Sequence, residues 1–355
     1  MRQFLTLTHR WIAIAVSLFL LGTAASGAAL VFEGAIDRGL HPELWRVAAG
    51  TQVLPIDTLV ARVEAKFPGA KISTVSLAVE PDRAWTISAG AQTFFVNPYT
   101  GEVNGTRSAA ESQATLARRL HVFHVEFFQG KLGRSFVGAL SVVALFLVIT
   151  GMILWWPDKL LRIHAGASWK RINFDLHHVF GIVTSLVLIV ICASGVVVHY
   201  DGLAKAIRSL DAQPTAAPPA QPSSIANRAP SFDAIATAAR AALPEAVISF
   251  VAIGGGKNTA SVGMKFPEDR TPAGRTRVFI DRNSDTVLAI ISTRNAQLGT
   301  RIDNLKRSLH TGDVFGYASS AMWFVATLAM VSQIVTGLLM WWNARKGRRV
   351  ARRAL

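Results

Sequence analysis

Four stretches of the chain are apolar at nearly every position: residues 11–32, 136–156, 179–198 and 317–342, none containing Asp, Glu, Lys or Arg. A helix needs about 20 such residues to cross the hydrocarbon core of a bilayer, so the pattern predicts four transmembrane helices. The segments between them alternate differently. Residues 56–67 follow a helical period, Pro68-Gly69 breaks it, and Ile72-Ser73-Thr74-Val75-Ser76-Leu77 alternates like a strand. Trp85-Thr86-Ile87 and Thr93-Phe94-Phe95-Val96 follow, closed by the turn Asn97-Pro98-Tyr99-Thr100-Gly101. A second series has a helical stretch over 232–243, then Val247-Ile248-Ser249-Phe250-Val251 and Val278-Phe279-Ile280-Asp281 before Arg282-Asn283-Ser284-Asp285. Each series predicts a small α+β module. Residues 213–230, rich in Pro, Ala, Ser and Gln, predict an extended linker. The stretch from about 115 to 128, set off from the second span by Gly130 and Gly133, predicts an amphipathic helix that folds back toward the membrane.

The chain also matches itself. His124 stands 31 residues before Trp155, and His310 stands 31 before Trp341; Thr150-Gly151 and Thr336-Gly337 fall at the same places within the two intervals. In the first half of each copy, His9 and Ala25-Ser26-Gly27 match His177 and Ala193-Ser194-Gly195 at a constant offset of 168. A repeat changes what every other match means. The expected fold class is therefore a membrane all-α four-helix bundle with two extracytoplasmic α+β modules and an internal two-fold repeat. The expected segments are a first span over 1–34, a module over 50–106 and an amphipathic helix plus second span over 114–157. A cytoplasmic loop over 158–174, a third span over 175–202, a linker over 211–230 and a second module over 231–293 follow. An amphipathic segment plus fourth span over 303–343 and a basic tail over 344–355 complete the chain. The small residues at 24–29 resemble a signal-peptide cleavage site, but a span with a retained twin is a poor disposable signal.

Composition adds orientation. The formal net charge is +15 with only 17% charged residues, which in a soluble protein suggests nucleic acid. Here the cations sit beside apolar stretches: Arg2 and Arg10, then Lys159, Arg162, Lys170 and Arg171, then six Lys or Arg from Arg345 to Arg353. The positive-inside rule places both termini and the loop between spans two and three in the cytoplasm, with both modules outside and no nucleic-acid partner implied. The single cysteine, Cys192, lies inside a span, which excludes a disulfide framework and a C-x-x-C-H haem attachment. No nucleotide-binding G-x-G-x-x-G or P-loop and no H-E-x-x-H or G-x-S-x-G is present. Gly254-Gly255-Gly256 reads as an ordinary loop.

Thr8-His9-Arg10-Trp11, Asp175-Leu176-His177, and His124 leading through Gly133-Arg134 to Thr150-Gly151 and Trp155-Trp156 resemble the PepSY-associated transmembrane family. The stretch Phe95 to Val103 resembles the PepSY domain. The chain departs from the pattern at Phe123, usually Leu, and at the turn 281–285, usually Asp-Pro-x-x-Gly. The resemblance implies a bacterial inner-membrane protein with two periplasmic modules, of a family that includes ferrisiderophore reductases and iron-uptake accessory proteins. It further implies haem b, two groups, between the helices, with a cytoplasmic or quinol electron donor and an extracytoplasmic ferric siderophore as acceptor. The rival readings are a PepSY-based binding or regulatory membrane protein without redox activity, and a transporter built on repeats.

Seven of the nine histidines fall at or near span ends. A neutral imidazole there is suited to haem iron, and two from facing helices make a closed electron-transfer centre. Symmetry sorts the candidates: His9 with His177 at the cytoplasmic side, His124 with His310 at the outer side. His199 is an additional outer candidate, 22 residues after His177 and roughly 40° from it around the helix. No catalytic residue is assigned. His121 and His178 stand beside better candidates, and His41 and His164 are expected to be solvated. Arg134 suits either a haem propionate or snorkelling. Gly27 and Gly195, each 18 residues after a histidine on the same helix face, suit either relief for a flat macrocycle or close helix packing.

Overall fold

A computed structural model describes residues 1–212, 229–253 and 258–353, the side chains of 346–353 excepted. Most of the expected linker, the Gly254-Gly255-Gly256 loop and most basic side chains of the tail lie outside the described residues. In chain order the elements are α1 (Arg2–Leu30), α2 (Glu33–Leu40), α3 (Pro42–Trp45), α4 (Ile56–Lys66), β1 (Thr74–Ser76), β2 (Trp85–Ala89), β3 (Gln92–Val96) and β4 (Val103–Ser108). Then come α5 (Ala109–Ala114), α6 (Leu116–Glu126), α7 (Gly130–Trp155), α8 (Trp169–His199), α9 (Asp201–Arg208) and α10 (Phe232–Ala242). β5 (Val247–Ala252), β6 (Thr259–Lys265), β7 (Thr276–Asp281), β8 (Val287–Ile291), α11 (Leu298–Thr311) and α12 (Tyr317–Arg353) complete the described chain.

The chain divides into two compact units: residues 1–33, 119–206 and 305–355 in one, 34–118 and 207–304 in the other. Among the described residues of the first, α1, α7, α8 and α12 are the four helices long and apolar enough to cross a membrane. The chain is a membrane protein. All four helices begin before, or continue beyond, the apolar stretches that mark them; α8 starts at Trp169, ten residues before the first residue of its stretch, Val179. Helical hydrogen bonding does not stop where apolarity does. The interior of this bundle is only thinly apolar: Leu20, Leu140, Ala144 and Cys192 are buried together, with Val16, Leu147, Met330 and Ile334 against them. Ser26, Thr150, Ser194 and Thr336 are also buried, their hydroxyls bonded back to carbonyls of their own helices.

The amphipathic helix α6 ends at a tight reversal. Phe127, Phe128 and Gly130 have φ of 45°, 60° and 55°, a left-handed region that is rare for phenylalanine. Phe127 is held there edge-on against Phe19 and Phe123. The corresponding reversal between α11 and α12 uses Gly312 and Gly316, with φ of 81° and 68°, at no steric cost. Both reversals turn a histidine-bearing helix back on the span that follows it.

The second unit is one eight-stranded antiparallel sheet in the order β4-β3-β2-β1-β5-β6-β7-β8. Two small α+β modules were the expectation from sequence; their strands join in one sheet at a seam where Val75 faces Val251. β1 has only three residues, and pairing on both sides completes its hydrogen bonds. One face of the sheet is covered by α4 and α10. Ile56, Leu59, Val60 and Val63 on α4, and Phe232, Ile235, Ala236 and Ala239 on α10, are buried at identical i, i+3, i+4, i+7 spacing. The helix starts are cross-capped. Asp233 accepts from the N–H groups of Ile56 and Asp57 at 2.9 Å each, while Asp57 accepts from the Phe232 N–H at 2.7 Å and the Ser231 hydroxyl at 2.6 Å.

Candidate functional site

The predicted histidines converge inside the first unit, each by the same device. His9 on α1 sets Nδ1 2.8 Å from the Thr150 hydroxyl of α7. His177 on α8 sets Nδ1 3.0 Å from the Thr336 hydroxyl and 3.1 Å from the Gln333 carbonyl, both on α12. His124 on α6 sets Nδ1 3.0 Å from the Thr23 carbonyl and 3.2 Å from the Ser26 hydroxyl of α1. His310 on α11 sets Nδ1 2.9 Å from the Ile191 carbonyl of α8. A carbonyl oxygen only accepts, so the Nδ1 atoms of His124, His177 and His310 carry the proton and donate it, leaving the Nε2 lone pair available. No hydrogen bond is made by any of the four Nε2 atoms among the described residues, and none of them is a sealed polar atom without a partner. Anchoring one ring nitrogen through a carbonyl or hydroxyl is how proteins aim the other at a metal.

Glycines make the room. A methyl group at Gly27 would stand 2.9 Å from Cε1 of His124, and one at Gly195 would stand 3.0 Å from Cε1 of His310. The glycines thus admit a histidine from a neighbouring helix, which neither sequence reading of them anticipated. Gly337 and Gly151 sit against His177 and His9 at 3.2 and 3.6 Å by the same measure. Thr150, Thr336, Gly151 and Gly337 were visible in the sequence only as family motif; the signal that they serve histidines is their recurrence at one spacing from them.

The outer pair is the closer. His124 and His310 have ring centroids 6.1 Å apart at 42°. Two imidazoles at that separation could hold one metal centre between them. Burial pushes the His124 imidazole down to about 3, helped by the charge of His310, and burial lowers His310 likewise. Both are therefore neutral at physiological pH, the form that ligates. His199 holds Nδ1 on the Gly195 carbonyl of its own helix at 3.1 Å and lies within electrostatic reach of both rings. His9 lies within electrostatic reach of His177 without ring contact. His121 meets Glu33 at 3.5 Å, and His178 bonds the Phe174 carbonyl one turn back.

One expectation fails. His164 is not simply solvated: its N–H and Nδ1 both bond the fully buried Asp175, at 3.0 and 2.8 Å, beside Arg171. A carboxylate sealed at the start of a span needs such partners, and that need was not legible from the position of His164 in a loop. Arg134 pairs with Glu126 at 3.3 Å and stays exposed. Sequence reasoning also passed over Gln333, whose amide lies over Gly181 with Nε2 buried and unpartnered.

Residues 6–344 match the family described as the PepSY-associated TM region. The chain belongs to that family. No curated protein matches the chain. The match takes in the four spans and all five candidate histidines. Among the described residues no cluster of three or more His, Cys, Asp or Glu is arranged for a bare metal ion.

Proposed function

We propose that the chain is a transmembrane electron conduit of the bacterial inner membrane, holding two haem b groups and delivering electrons to an extracytoplasmic ferric siderophore. His9 and His177 would hold the inner group, His124 and His310 the outer, with His199 within reach of the latter. One observation carries the reading: four histidines on four elements each give Nδ1 to a neighbouring helix and keep Nε2 free. The donor set fits haem. When bound, haem supplies a one-electron couple whose potential depends on axial ligand, hydrogen bonding and burial. The chain's own residues fix the tautomer, keep the rings neutral and, by offering two imidazoles per group, leave no open position for other chemistry.

The layers are well placed for crossing a bilayer. Gly27, beside His124, is 18 residues after His9 on α1, and Gly195, beside His310, is 18 after His177 on α8. That is about 27 Å along each helix, close to the thickness of the hydrocarbon core. Leu20, Leu140, Ala144 and Cys192 form a buried apolar layer between them. Matching contacts recur at offsets of 168 and 186, as in His9–Thr150 with His177–Thr336, which supports an internal two-fold repeat. The basic flanks support cytoplasmic termini and a periplasmic second unit; a cytoplasmic or quinol donor would supply the inner group.

Visible spectra of the detergent-purified chain, oxidised and dithionite-reduced, test the proposal. A Soret band that His124→Ala with His310→Ala, and His9→Ala with His177→Ala, each reduce by about half is expected from two bis-histidine sites. A colourless protein after haem-replete expression would overturn it in favour of a binding or regulatory role.

A further inference from the structure

The sheet face turned away from α4 and α10 carries two arginines stacked on phenylalanines, and they differ in one respect. Arg107 lies 5.4 Å from the Phe95 ring, and its guanidinium meets Asp37 at 3.0 Å. Arg277 lies 4.7 Å from the Phe250 ring. Among the described residues its guanidinium donates to the neighbouring Thr276 carbonyl, at 2.9 Å, and meets no carboxylate. Other arginines of this unit are matched: Arg294 by Glu245 and Glu268, Arg208 by Asp303.

Phe250, Gly263 and Arg277 stand side by side on β5, β6 and β7. A Cβ at Gly263 would collide with the Phe250 ring, so the glycine lets the ring lie flat across β6 toward the guanidinium. The bulge in β5 brings Ser249 to the same place: its hydroxyl would be 2.9 Å from that Cβ, and it is buried without a partner. Across the seam the row continues through the hydroxyls of Ser76 and Thr86. Arg275, exposed, adds a second cation near Arg277; burial and this neighbour lower the Arg277 guanidinium below its usual range. Two cations held together, one of them half-buried, are an unfavourable arrangement that an anion relieves. Counting outward from the seam, the first half has Thr74, Ser88 and Thr93 where the second has Phe250, Gly263 and Arg277. The patch therefore exists once.

We propose that this patch binds a small, oxygen-rich carboxylate anion, its carboxylate on the Arg277 and Arg275 guanidiniums, its hydroxyl or carbonyl oxygens toward Ser249, and its flat side on Phe250. Asp37 on Arg107 shows the same chemistry satisfied from within the chain. The site goes beyond the electron-conduit reading and does not depend on it: anion binding and the Soret band stand or fall separately.

Citrate is the probe, titrated calorimetrically into the full chain in detergent. Expected is binding of one citrate per chain that weakens as ionic strength rises, falls about tenfold or more in Arg277→Gln, and is partly kept in Arg277→Lys. Arg275→Gln gives a smaller loss and guards against a folding defect at position 277; Phe250→Leu weakens binding without changing charge. Absence of citrate binding by the parent chain, unchanged affinity in both arginine-to-glutamine variants, or equal binding of the neutral polyol xylitol would overturn the proposal.

Discussion

Replacing Gly27 by alanine sets two opposing effects against each other. Within a helix alanine is better than glycine by about 1 kcal/mol. The new methyl, however, would stand 2.9 Å from Cε1 of His124, whereas carbon atoms prefer roughly 3.5–4.0 Å. The ring must therefore retreat by roughly 0.6–1 Å. It is tied to α1 itself, through Thr23 at 3.0 Å and Ser26 at 3.2 Å, and a retreat of that size carries both beyond hydrogen-bonding range. Overpacking costs about 1–3 kcal/mol and a lost hydrogen bond about 1 more, so the clash wins and Gly27→Ala should be destabilising by roughly 1–3 kcal/mol. Gly151→Ala is the internal control. Its methyl would lie 3.6 Å from Cε1 of His9, an ordinary contact, so the helix preference wins and that variant should be neutral or stabilised by up to about 1 kcal/mol. Melting curves and visible spectra of both variants in one detergent decide the matter. Gly27→Ala should melt earlier and lose the outer part of the haem absorbance; Gly151→Ala should lose neither. Equal behaviour of the two, or a Gly27→Ala protein as stable as its parent, would refute the argument that glycine is there to admit the imidazole.

Thr150→Val should weaken haem retention more than Thr336→Val, because Thr150 is the only partner of the His9 Nδ1 among the described residues whereas His177 also has the Gln333 carbonyl. A loss of about 10–100-fold in affinity is expected for the first and clearly less for the second, measured by haem transfer to an apoprotein acceptor. Asp57→Ala removes the acceptor for the Phe232 N–H and Ser231 hydroxyl at the start of α10; a cost of about 1–2 kcal/mol is expected, read from chemical denaturation of the full chain, and Asp233→Ala should match it. The Thr300 hydroxyl and the Gly299 and Thr300 N–H groups hold the Asp211 carboxyl below its usual range at the start of α11. A depressed folded value means that the stabilisation is complete above the ordinary aspartate value of about 3.9 and is lost as pH falls through the folded one. Amide exchange at Gly299 and Thr300, corrected for intrinsic rate, should therefore accelerate only below about pH 4, while Asp211→Ala should show the acceleration already at neutral pH.

The spans and the pairing of His124 with His310 were legible because each leaves a long, regular trace: an apolar run of helical length, and a histidine at one distance from Thr-Gly and Trp-Trp. The second unit was harder to read. Strand β1 spends three residues on a seam, and nothing in Thr74-Val75-Ser76 distinguishes a strand paired on both sides from an edge. The glycines were read with their own helix because helical phase is visible in a sequence; that Gly27 receives a ring from α6 depends on how α6 reverses at Phe127 and Phe128. Those phenylalanines adopt a backbone that their residue type argues against, and only tertiary packing on Phe19 and Phe123 explains it. His164 was misread for a related reason: the buried carboxylate that binds it is eleven residues away, in the second turn of α8.

If matching halves built the two histidine layers, the positions where the halves disagree should carry whatever makes the conduit directional, since a relay with identical ends has no preferred direction. Gln333 stands where the first half has Leu147, and Gly181 beneath it where the first half has Ala13. Both differences fall beside His177, so a polar amide without a partner meets only one side of the inner layer, in a membrane interior where such a group is costly. Arg10 and His178 differ in the same layer, each next to a member of the inner pair. Arg277 with Phe250 replaces two threonines in the second unit, again on one side alone. The matching contacts thus hold the rings alike in both halves, while Gln333, Arg10 and Arg277 each add hydrogen-bonding capacity or charge on one side alone. Gln333→Leu, which restores the residue of the first half, is the sharpest check: it should shift the midpoint potential of the inner haem while leaving the outer one in place. An identical shift of both potentials, or of neither, would show that the asymmetry lies elsewhere.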